Sequence, residues 1–261
     1  MTDTFANLTL TFEGAVARLT LARPEKLNPL DWSTVKELRT AIMRIDARPE
    51  VSFVVVTGQG RSFSAGGDLE GYLRLYAHPD EFAAFLDDFW KMLTAIEASP
   101  KIWIAAVNGH CVAGGIELLL ACDLAVAAES AKIGDGHLNF GQLPGAGGSQ
   151  RLPRAVGLLR AKHLMLTGEL LTAAEAERIG LVGAVASDLE AAVAELIAGL
   201  SQKSRVGLRG AKHLANLTLT HDLDAGLQAE IAYVHAYATT EPDATEGLVA
   251  FKEKRRPAFK E

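Results

Sequence analysis

Apolar and polar residues alternate along the chain in a way that predicts strands first and helices between them. Residues 7–12 and 15–22 alternate or run apolar on either side of Gly14, which is typical of an antiparallel hairpin. Apolar residues at helical spacing predict helices over residues 31–47 and 80–98. The chain therefore opens as a mixture of strands and helices.

Continuous apolar runs over residues 53–57, 102–107 and 123–127 predict three buried strands. Because loops and helices separate these runs, the order predicts parallel strands covered by helices. After residue 152 helical patterns dominate, and the last of them cover residues 188–200, 204–217, 221–238 and 243–252. The predicted fold class is an α/β body followed by a helical tail whose apolar stripes favour self-association.

Two glycine loops carry most of the chemical information. Residues 64–69 read Ser-Ala-Gly-Gly-Asp-Leu, residues 113–117 read Ala-Gly-Gly-Ile-Glu, and each loop follows a predicted buried strand and opens a helix. Glycine lets backbone N–H groups approach a ligand, and a helix N-terminus adds unpaired donors with a partial positive charge. Two such corners aimed at one oxygen would form an oxyanion hole, which predicts carbonyl chemistry one helical turn from Glu117.

Composition and charge exclude several classes of function. The chain of 261 residues is 49% hydrophobic and 22% charged, with a net charge of −6, so we expect a globular protein that does not bind nucleic acid. It lacks an N-terminal secretory pattern and a long apolar run, which predicts a cytoplasmic protein without a membrane span. Cys111 and Cys122 are expected to be free thiols. Neither metal-ligand spacing nor a dinucleotide-binding glycine pattern occurs, so we expect no metal and no redox cofactor.

Taken in order, seven motifs resemble the crotonase, or enoyl-CoA hydratase/isomerase, superfamily. They are residues 23–28 (RPEKLN), 62–69 (SFSAGGDL), 106–110 (AVNGH), 113–118 (AGGIEL), 144–152 (PGAGGSQRL), 173–182 (AAEA followed by GLV) and 246–251 (EGLVAF). The resemblance spans nearly the whole chain. It implies a crotonase-like spiral of ββα units over residues 1–195 and a C-terminal helical region, residues 196–261, that builds trimers, often paired into hexamers.

The same resemblance implies an acyl-CoA substrate and no cofactor beyond the coenzyme A that this substrate carries. The N–H groups of Gly67 and Gly114 would hold the thioester oxygen. The CoA path would be lined by Lys26, Leu27, Ala65, Gly66, Asp68 and Leu69, and would be reached from a neighbouring subunit by Phe251 and Lys254. For Lys254 a solvated tail charge is the alternative, and Asp68 is also expected to cap the helix that follows it.

The chain departs from the family at one catalytic position. Hydratases of this family use two glutamates; Glu117 matches the first, and His137 occupies the position of the second. Three interpretations stay open: His137 performs the second acid–base role, it orients a substrate group while Glu117 acts alone, or it is structural. Asp135 would orient the imidazole if residues 135–137 are extended, and Glu117 has a structural alternative as a helix cap.

The leading functional hypothesis is hydration, or movement of the double bond, of an enoyl-CoA thioester. The alternatives are hydrolysis, carbon–carbon cleavage or decarboxylation of an acyl-CoA on the same fold, and a CoA-binding protein without catalysis. Aromatic residues cluster between Tyr72 and Trp90. They predict either helix packing or an acyl pocket in which a tyrosine hydroxyl meets the substrate.

Overall fold

The computed structural model describes residues 3–260, with two β-sheets, eleven α-helices and two short 3-10 helices, Pro24–Lys26 and His137–Phe140, in that range. The strands are β1 Asp3–Thr4, β2 Leu8–Glu13, β3 Val16–Leu21, β4 Phe53–Gly58, β5 Ser62–Ser64, β6 Ile102–Val107, β7 His110–Val112, β8 Leu124–Ala128, β9 Lys132–Gly134, β10 Leu171–Thr172 and β11 Ala184–Ala186. The helices are α1 Trp32–Asp46, α2 Leu69–Tyr76, α3 Pro79–Ala98, α4 Gly114–Ala121, α5 Gly148–Val156, α6 Leu158–Thr167, α7 Ala173–Arg178, α8 Leu189–Leu200, α9 Arg205–Leu217, α10 Leu223–Thr240 and α11 Pro242–Glu253. The predicted α/β class is confirmed.

The larger sheet has seven strands in the order β1-β2-β3-β4-β6-β8-β11. The first three strands are antiparallel, and the pairs from β3 onward are parallel. Strands β4 and β6 are buried at every position, as their continuous apolar sequences require at the centre of a parallel sheet. The predicted hairpin and the predicted buried strands β4 and β6 are confirmed. The third predicted buried strand forms as β8, but only Val126 and Ala127 of it are buried and Leu124 is exposed.

The smaller sheet has four strands in the order β10-β9-β7-β5, of which β5, β7 and β9 are parallel. Each of these three strands has only three residues. The strand directly before each glycine loop is therefore a short strand of this sheet, not the long apolar strand predicted from the sequence. The small sheet brings three loops to one edge, because the carboxyl ends of parallel strands lie on the same side.

Helix α1 shows how the sequence fixes these elements. Its N-cap is Asp31, whose side chain accepts the N–H of Thr34 at 2.9 Å. The core buries the apolar stripe of this helix, Val35, Leu38, Ala41, Ile42 and Ile45, while Met43 is exposed. Thr172 and Glu175 form a capping box. It starts α7 with two reciprocal hydrogen bonds.

The chain divides into two compact units, Met1–Val193 and Ala194–Glu261. The predicted division at residue 195 stays a prediction, and its outermost residues, 1, 2 and 261, lie outside the described range. In the second unit, α10 buries none of its residues, and several large apolar side chains of α10 and α11 are exposed: Leu223, Leu227, Ile231, Val234, Leu248 and Phe251. Such an apolar surface is what a subunit interface requires.

Candidate active site

The three functional segments predicted from the sequence follow three neighbouring strands. Gly66 and Gly67 come after β5, Ala113 and Gly114 after β7, and the segment that carries His137 after β9. Because these strands are parallel neighbours, their loops leave the same edge of the small sheet. The fold therefore brings together residues that lie far apart in the sequence.

The two glycine corners touch each other. Gly66 has a φ of +97°, and a Cβ atom there would lie 2.7 Å from Cβ of Ala113 and 3.1 Å from the backbone nitrogen of Gly114. In the described part of the chain, the N–H groups of Gly67 and Gly114 donate no hydrogen bond to another protein group. Two free donors on adjoining corners are the arrangement that an oxyanion hole requires.

Asn28 holds the first corner in place. This residue is buried with a φ of +55°; its Nδ2 donates to the carbonyls of Gln59 at 3.0 Å and Ser62 at 2.8 Å, and its Oδ1 accepts the N–H of Arg23 at 3.0 Å. The Ser64 hydroxyl donates to the Asn28 carbonyl at 2.8 Å. The loop of residues 23–28 is thereby fixed beside the first glycine loop.

Replacing Asn28 with alanine is expected to lower the free energy of unfolding by about 2–4 kcal/mol, because buried backbone groups lose their partners. Chemical denaturation followed by circular dichroism measures this change. Asn7→Ala is the control, since Asn7 Nδ2 makes an exposed hydrogen bond to Ser33 and should cost less than about 1 kcal/mol. Equal losses in the two variants would contradict the role assigned to Asn28.

Glu117 is one of two buried carboxylates of the site, with 1% of its surface exposed. Its Oε1 accepts the N–H groups of Ala146 at 2.9 Å and Gly148 at 2.8 Å. Burial raises the pKa of this carboxyl group, and the two N–H groups and His137 oppose that rise. The expected alternative, in which Glu117 caps its own helix α4, is therefore wrong: its two donors lie in the glycine-rich segment of residues 144–148, and one of them, Gly148, begins α5.

Arg151 supports that segment. Its guanidinium makes two hydrogen bonds to the Glu97 carboxylate, at 2.6 and 2.9 Å, and its Nη1 donates to the Ala146 carbonyl at 2.8 Å. The loop that binds Glu117 is thus tied to helix α3. Sequence reasoning missed these backbone donors, although the glycines of residues 144–148 were a signal of close backbone approach.

His137 lies between two carboxylates. Its Nε2 is 4.0 Å from Oε2 of Glu117, and its Nδ1 is 3.1 Å from Oδ2 of Asp135. The second contact is close but not aligned as a hydrogen bond, and Asp135 Oδ2 and His137 Nδ1 have no other partner among the described residues. Asp135, His137 and Glu117 therefore follow one another in space, and the His137 and Glu117 side chains are too far apart for a direct hydrogen bond.

The backbone turns between Asp135 and His137. Gly136 has a φ of +62°, and His137 begins a 3-10 turn over residues 137–140. The condition that residues 135–137 are extended is therefore wrong. A left-handed glycine brings the two side chains together instead.

The predicted CoA-contacting residues fall into two groups. In the first unit, the Ala65 N–H donates to the Leu27 carbonyl at 3.0 Å, so those two loops adjoin, while Lys26 and Leu69 are exposed. In the second unit, Phe251 lies on α11 with 85% of its surface exposed, and Lys254 ends that helix with a φ of +59°. The CoA contacts of all these residues stay predictions.

Asp68 does not make the capping hydrogen bond that the sequence predicts. It occupies the N-cap position of α2, but its side chain accepts no capping hydrogen bond. Its carboxylate turns toward Gly71 instead, since a Cβ atom there would lie 3.2 Å from Oδ2 of Asp68. The predicted capping role is therefore wrong.

Residues 3–260 contain no group of three or more His, Cys, Asp or Glu side chains arranged to hold a metal ion. Over the same range, every helix is too short or too polar to cross a membrane.

Comparison with known proteins agrees with this geometry. The family model described as enoyl-CoA hydratase/isomerase matches residues 11–261. A probable enoyl-CoA hydratase of Mycobacterium bovis is 38% identical over 258 residues, covering 98% of each chain, and a crotonyl-CoA hydratase of Syntrophomonas wolfei is 37% identical over 260 residues, also covering 98% of each.

Solved structures extend the likeness to the fold. The enoyl-CoA hydratase of Bacillus anthracis aligns over 98% of this chain and 99% of its own, with a TM-score of 0.89 and 34% identity. A Geobacillus kaustophilus enoyl-CoA hydratase structure aligns over 100% of this chain and 98% of its own, with a TM-score of 0.92 and 32% identity. The predicted crotonase-like fold is confirmed, and the chain belongs to the enoyl-CoA hydratase/isomerase family.

Proposed function

We propose that this protein is an enoyl-CoA hydratase that adds water across the double bond next to the thioester of an acyl-CoA, with a glutamate and a histidine as its acid–base pair. The observation that carries the proposal is the open gap of 4.0 Å between Glu117 Oε2 and His137 Nε2, beside two glycine corners with free N–H groups. The family membership supplies the substrate class, an acyl-CoA.

The reaction assigns one task to each group. The thioester oxygen accepts hydrogen bonds from Gly67 and Gly114, which stabilise negative charge on that oxygen. Glu117 accepts a proton from water through Oε2 while the water oxygen bonds to the β-carbon. The protonated His137 then gives its Nε2 proton to the α-carbon of the enolate, and the thioester carbonyl re-forms.

Completion of the cycle requires a proton to return from Glu117 to His137. The two side chains face each other across the same gap, so one water molecule is enough to relay the proton once the product leaves. Asp135 is 1% exposed, and its Oδ2 lies 3.1 Å from Nδ1, the ring nitrogen of His137 that does not face Glu117. Asp135 is therefore a positioning residue in this scheme.

Other features of the proposal rest on the family. Coenzyme A arrives with the substrate, and neither a metal nor a redox cofactor takes part. Lys26, Leu27, Ala65, Gly66, Asp68 and Leu69 line the CoA path, and the exposed Phe251 and Lys254 reach CoA in a neighbouring subunit of a cytoplasmic homotrimer or hexamer. The exposed apolar residues of α10 and α11 support that assembly.

The second candidate is hydrolysis, carbon–carbon cleavage or decarboxylation of an acyl-CoA on the same fold. The imidazole at position 137, where the family's hydratases have a second glutamate, favours it. Turnover of crotonyl-CoA together with aromatic, cyclic and 2-oxo acyl-CoAs, followed by mass spectrometry, separates the two candidates. We expect a product heavier by one water molecule. Free coenzyme A or loss of carbon dioxide would favour the second candidate, and binding without turnover would contradict both.

Gly114 offers a test of the oxyanion hole. It is the first residue of α4, where proline is tolerated in a helix, and Gly114→Pro removes the N–H donor. We expect kcat to fall by about 10²–10³-fold.

Gly114→Ala is the matched control because it keeps the N–H. Its Cβ atom would make ordinary contacts of 3.4–3.5 Å with Phe89, Gly66 and Leu30, so we expect most of the activity to remain. Equal activity in the alanine variant and a folded proline variant, with folding checked by thermal unfolding, would remove Gly114 from the oxyanion hole.

A further inference from the structure

The hydroxyl end of Tyr72, on α2, lies directly against Gly67. A Cβ atom on Gly67 would lie 2.2 Å from the Tyr72 hydroxyl oxygen and 2.4 Å from its Cζ. Gly67 carries one of the two free N–H groups of the glycine corners. A group bound to that N–H therefore lies next to the Tyr72 ring.

The ring is held in this position from several sides. It stacks on Tyr76 with centroids 5.9 Å apart and an interplanar angle of 1°, and it contacts Phe82 and Phe85 of α3 at 6.5 and 5.9 Å. The hydroxyl of Tyr76 in turn donates to Oε1 of Gln142, in the segment that follows His137. Because α2 is fixed at that end, the Tyr72 ring forms a firm wall of the site.

The Tyr72 hydroxyl stays neutral in this environment. Burial raises its pKa, and the nearby carboxylate of Glu117 raises it further. The ring therefore presents an uncharged surface toward the reaction site.

The Tyr72 side chain also lines a separate cavity of about 260 Å³. Its apolar lining comes from Trp32, Leu75 and Phe85, and Asp31 and Asp68 are among its polar residues. Gly67, Gly114, Glu117 and His137 do not line it. Tyr72 is thus the shared boundary between the oxyanion corner and a second, partly apolar space.

We propose that Tyr72 is a specificity-determining residue that closes the acyl pocket beside Gly67 and restricts the protein to short acyl groups. The proposal rests on the proposed function, since it takes the thioester oxygen to bind at Gly67. A longer acyl chain reaches the apolar lining of the second cavity only where the Tyr72 ring is removed. The substrate class is therefore short-chain enoyl-CoA.

The test measures binding of two saturated thioesters, butyryl-CoA and decanoyl-CoA, by isothermal titration calorimetry. Tyr72→Ala should shift the ratio of the two affinities toward decanoyl-CoA by about tenfold or more, since methylene groups in an apolar pocket discriminate on that scale. Tyr72→Phe keeps the ring and should keep the wild-type ratio. Trp90→Ala removes an exposed aromatic side chain of α3 that does not line this cavity, and it should also keep that ratio.

An unchanged ratio in Tyr72→Ala, or an equal shift in Trp90→Ala, would overturn the proposal. Saturated thioesters cannot be hydrated, so the measurement does not depend on turnover. A failure of the proposed hydratase function would appear as absent hydration with the ratio still shifted, which is distinct from a failure of the Tyr72 assignment.

A stability measurement keeps the contact testable if Tyr72→Ala folds poorly. Gly67→Ala should lower the melting temperature because its Cβ atom overlaps the Tyr72 ring. Adding Tyr72→Leu, which removes the ring but keeps an apolar side chain, should recover part of that loss. If the two single variants lower the melting temperature additively in the double variant, Tyr72 does not contact Gly67 and does not form a wall of the acyl pocket.

Discussion

Replacing Glu117 with glutamine is expected to lower kcat by about 10³-fold, within the range that general acid–base groups contribute. The variant should nevertheless fold. Glutamine keeps a carbonyl oxygen that accepts the N–H groups of Ala146 and Gly148, and it removes the cost of a buried charge. Turnover and thermal unfolding of the same preparation measure both effects.

The pH dependence of this change has a definite sign. Burial raises the folded-state pKa of Glu117 above the ordinary carboxyl value of 4.5. The stability that the neutral carboxyl contributes is therefore complete below that value and is lost as the pH rises through the raised pKa. Glu117→Gln should match the wild-type melting temperature near pH 4 and exceed it at pH 8.

Activity should follow the same titration. Because the base form of Glu117 is the ionised carboxylate, kcat/KM of the wild type should rise with pH. The midpoint of that rise should lie above the ordinary pKa of a carboxyl group. A glutamine variant that loses activity without gaining stability at pH 8 would contradict the burial argument. A variant that keeps its activity would contradict the catalytic role.

The second large effect is expected at His137. Replacing this residue with glutamine should lower kcat by about 10²–10⁴-fold with little change in KM, because an amide keeps polar contacts but cannot deliver a proton to the α-carbon. Steady-state kinetics with crotonyl-CoA measures it. Asp135→Asn should cost less, since Asp135 contacts the imidazole and not the reacting atoms.

His163→Gln is the matched control for the imidazole. His163 is an exposed histidine whose Nε2 lies 2.9 Å from Glu169, so this variant removes a histidine–carboxylate contact outside the site. Its kinetics should equal those of the wild type. Unchanged kcat in His137→Gln would return His137 to a structural role and leave Glu117 acting alone.

The long elements were predictable because their patterns are strong. Strands β4 and β6 are continuous apolar runs, and α1 has both an apolar stripe and a capping aspartate. The short strands β5, β7 and β9 were missed, because three residues are too few to show a period. Those strands nevertheless position the site, so the sequence indicated its residues without showing how they meet.

The details of the site depend on contacts that local sequence does not encode. The donors to Glu117 come from residues 146 and 148, and the ring against Gly67 comes from α2. The left-handed conformation of Gly136 decides how Asp135 reaches His137, and a Gly residue alone permits that conformation without requiring it. These features follow from the packing of the small sheet and its loops.

The proposed reaction adds water to an enoyl-CoA thioester between Glu117 and His137. Incubation of the wild-type protein with crotonyl-CoA in water enriched in a heavy oxygen isotope tests this reaction. We expect mass spectrometry to find one heavy oxygen atom in the β-hydroxyl group of an intact hydroxyacyl-CoA, and we expect Glu117→Gln and His137→Gln to lose this product. Heavy oxygen in the carboxylate of a released acid, together with free coenzyme A, would show hydrolysis instead of hydration.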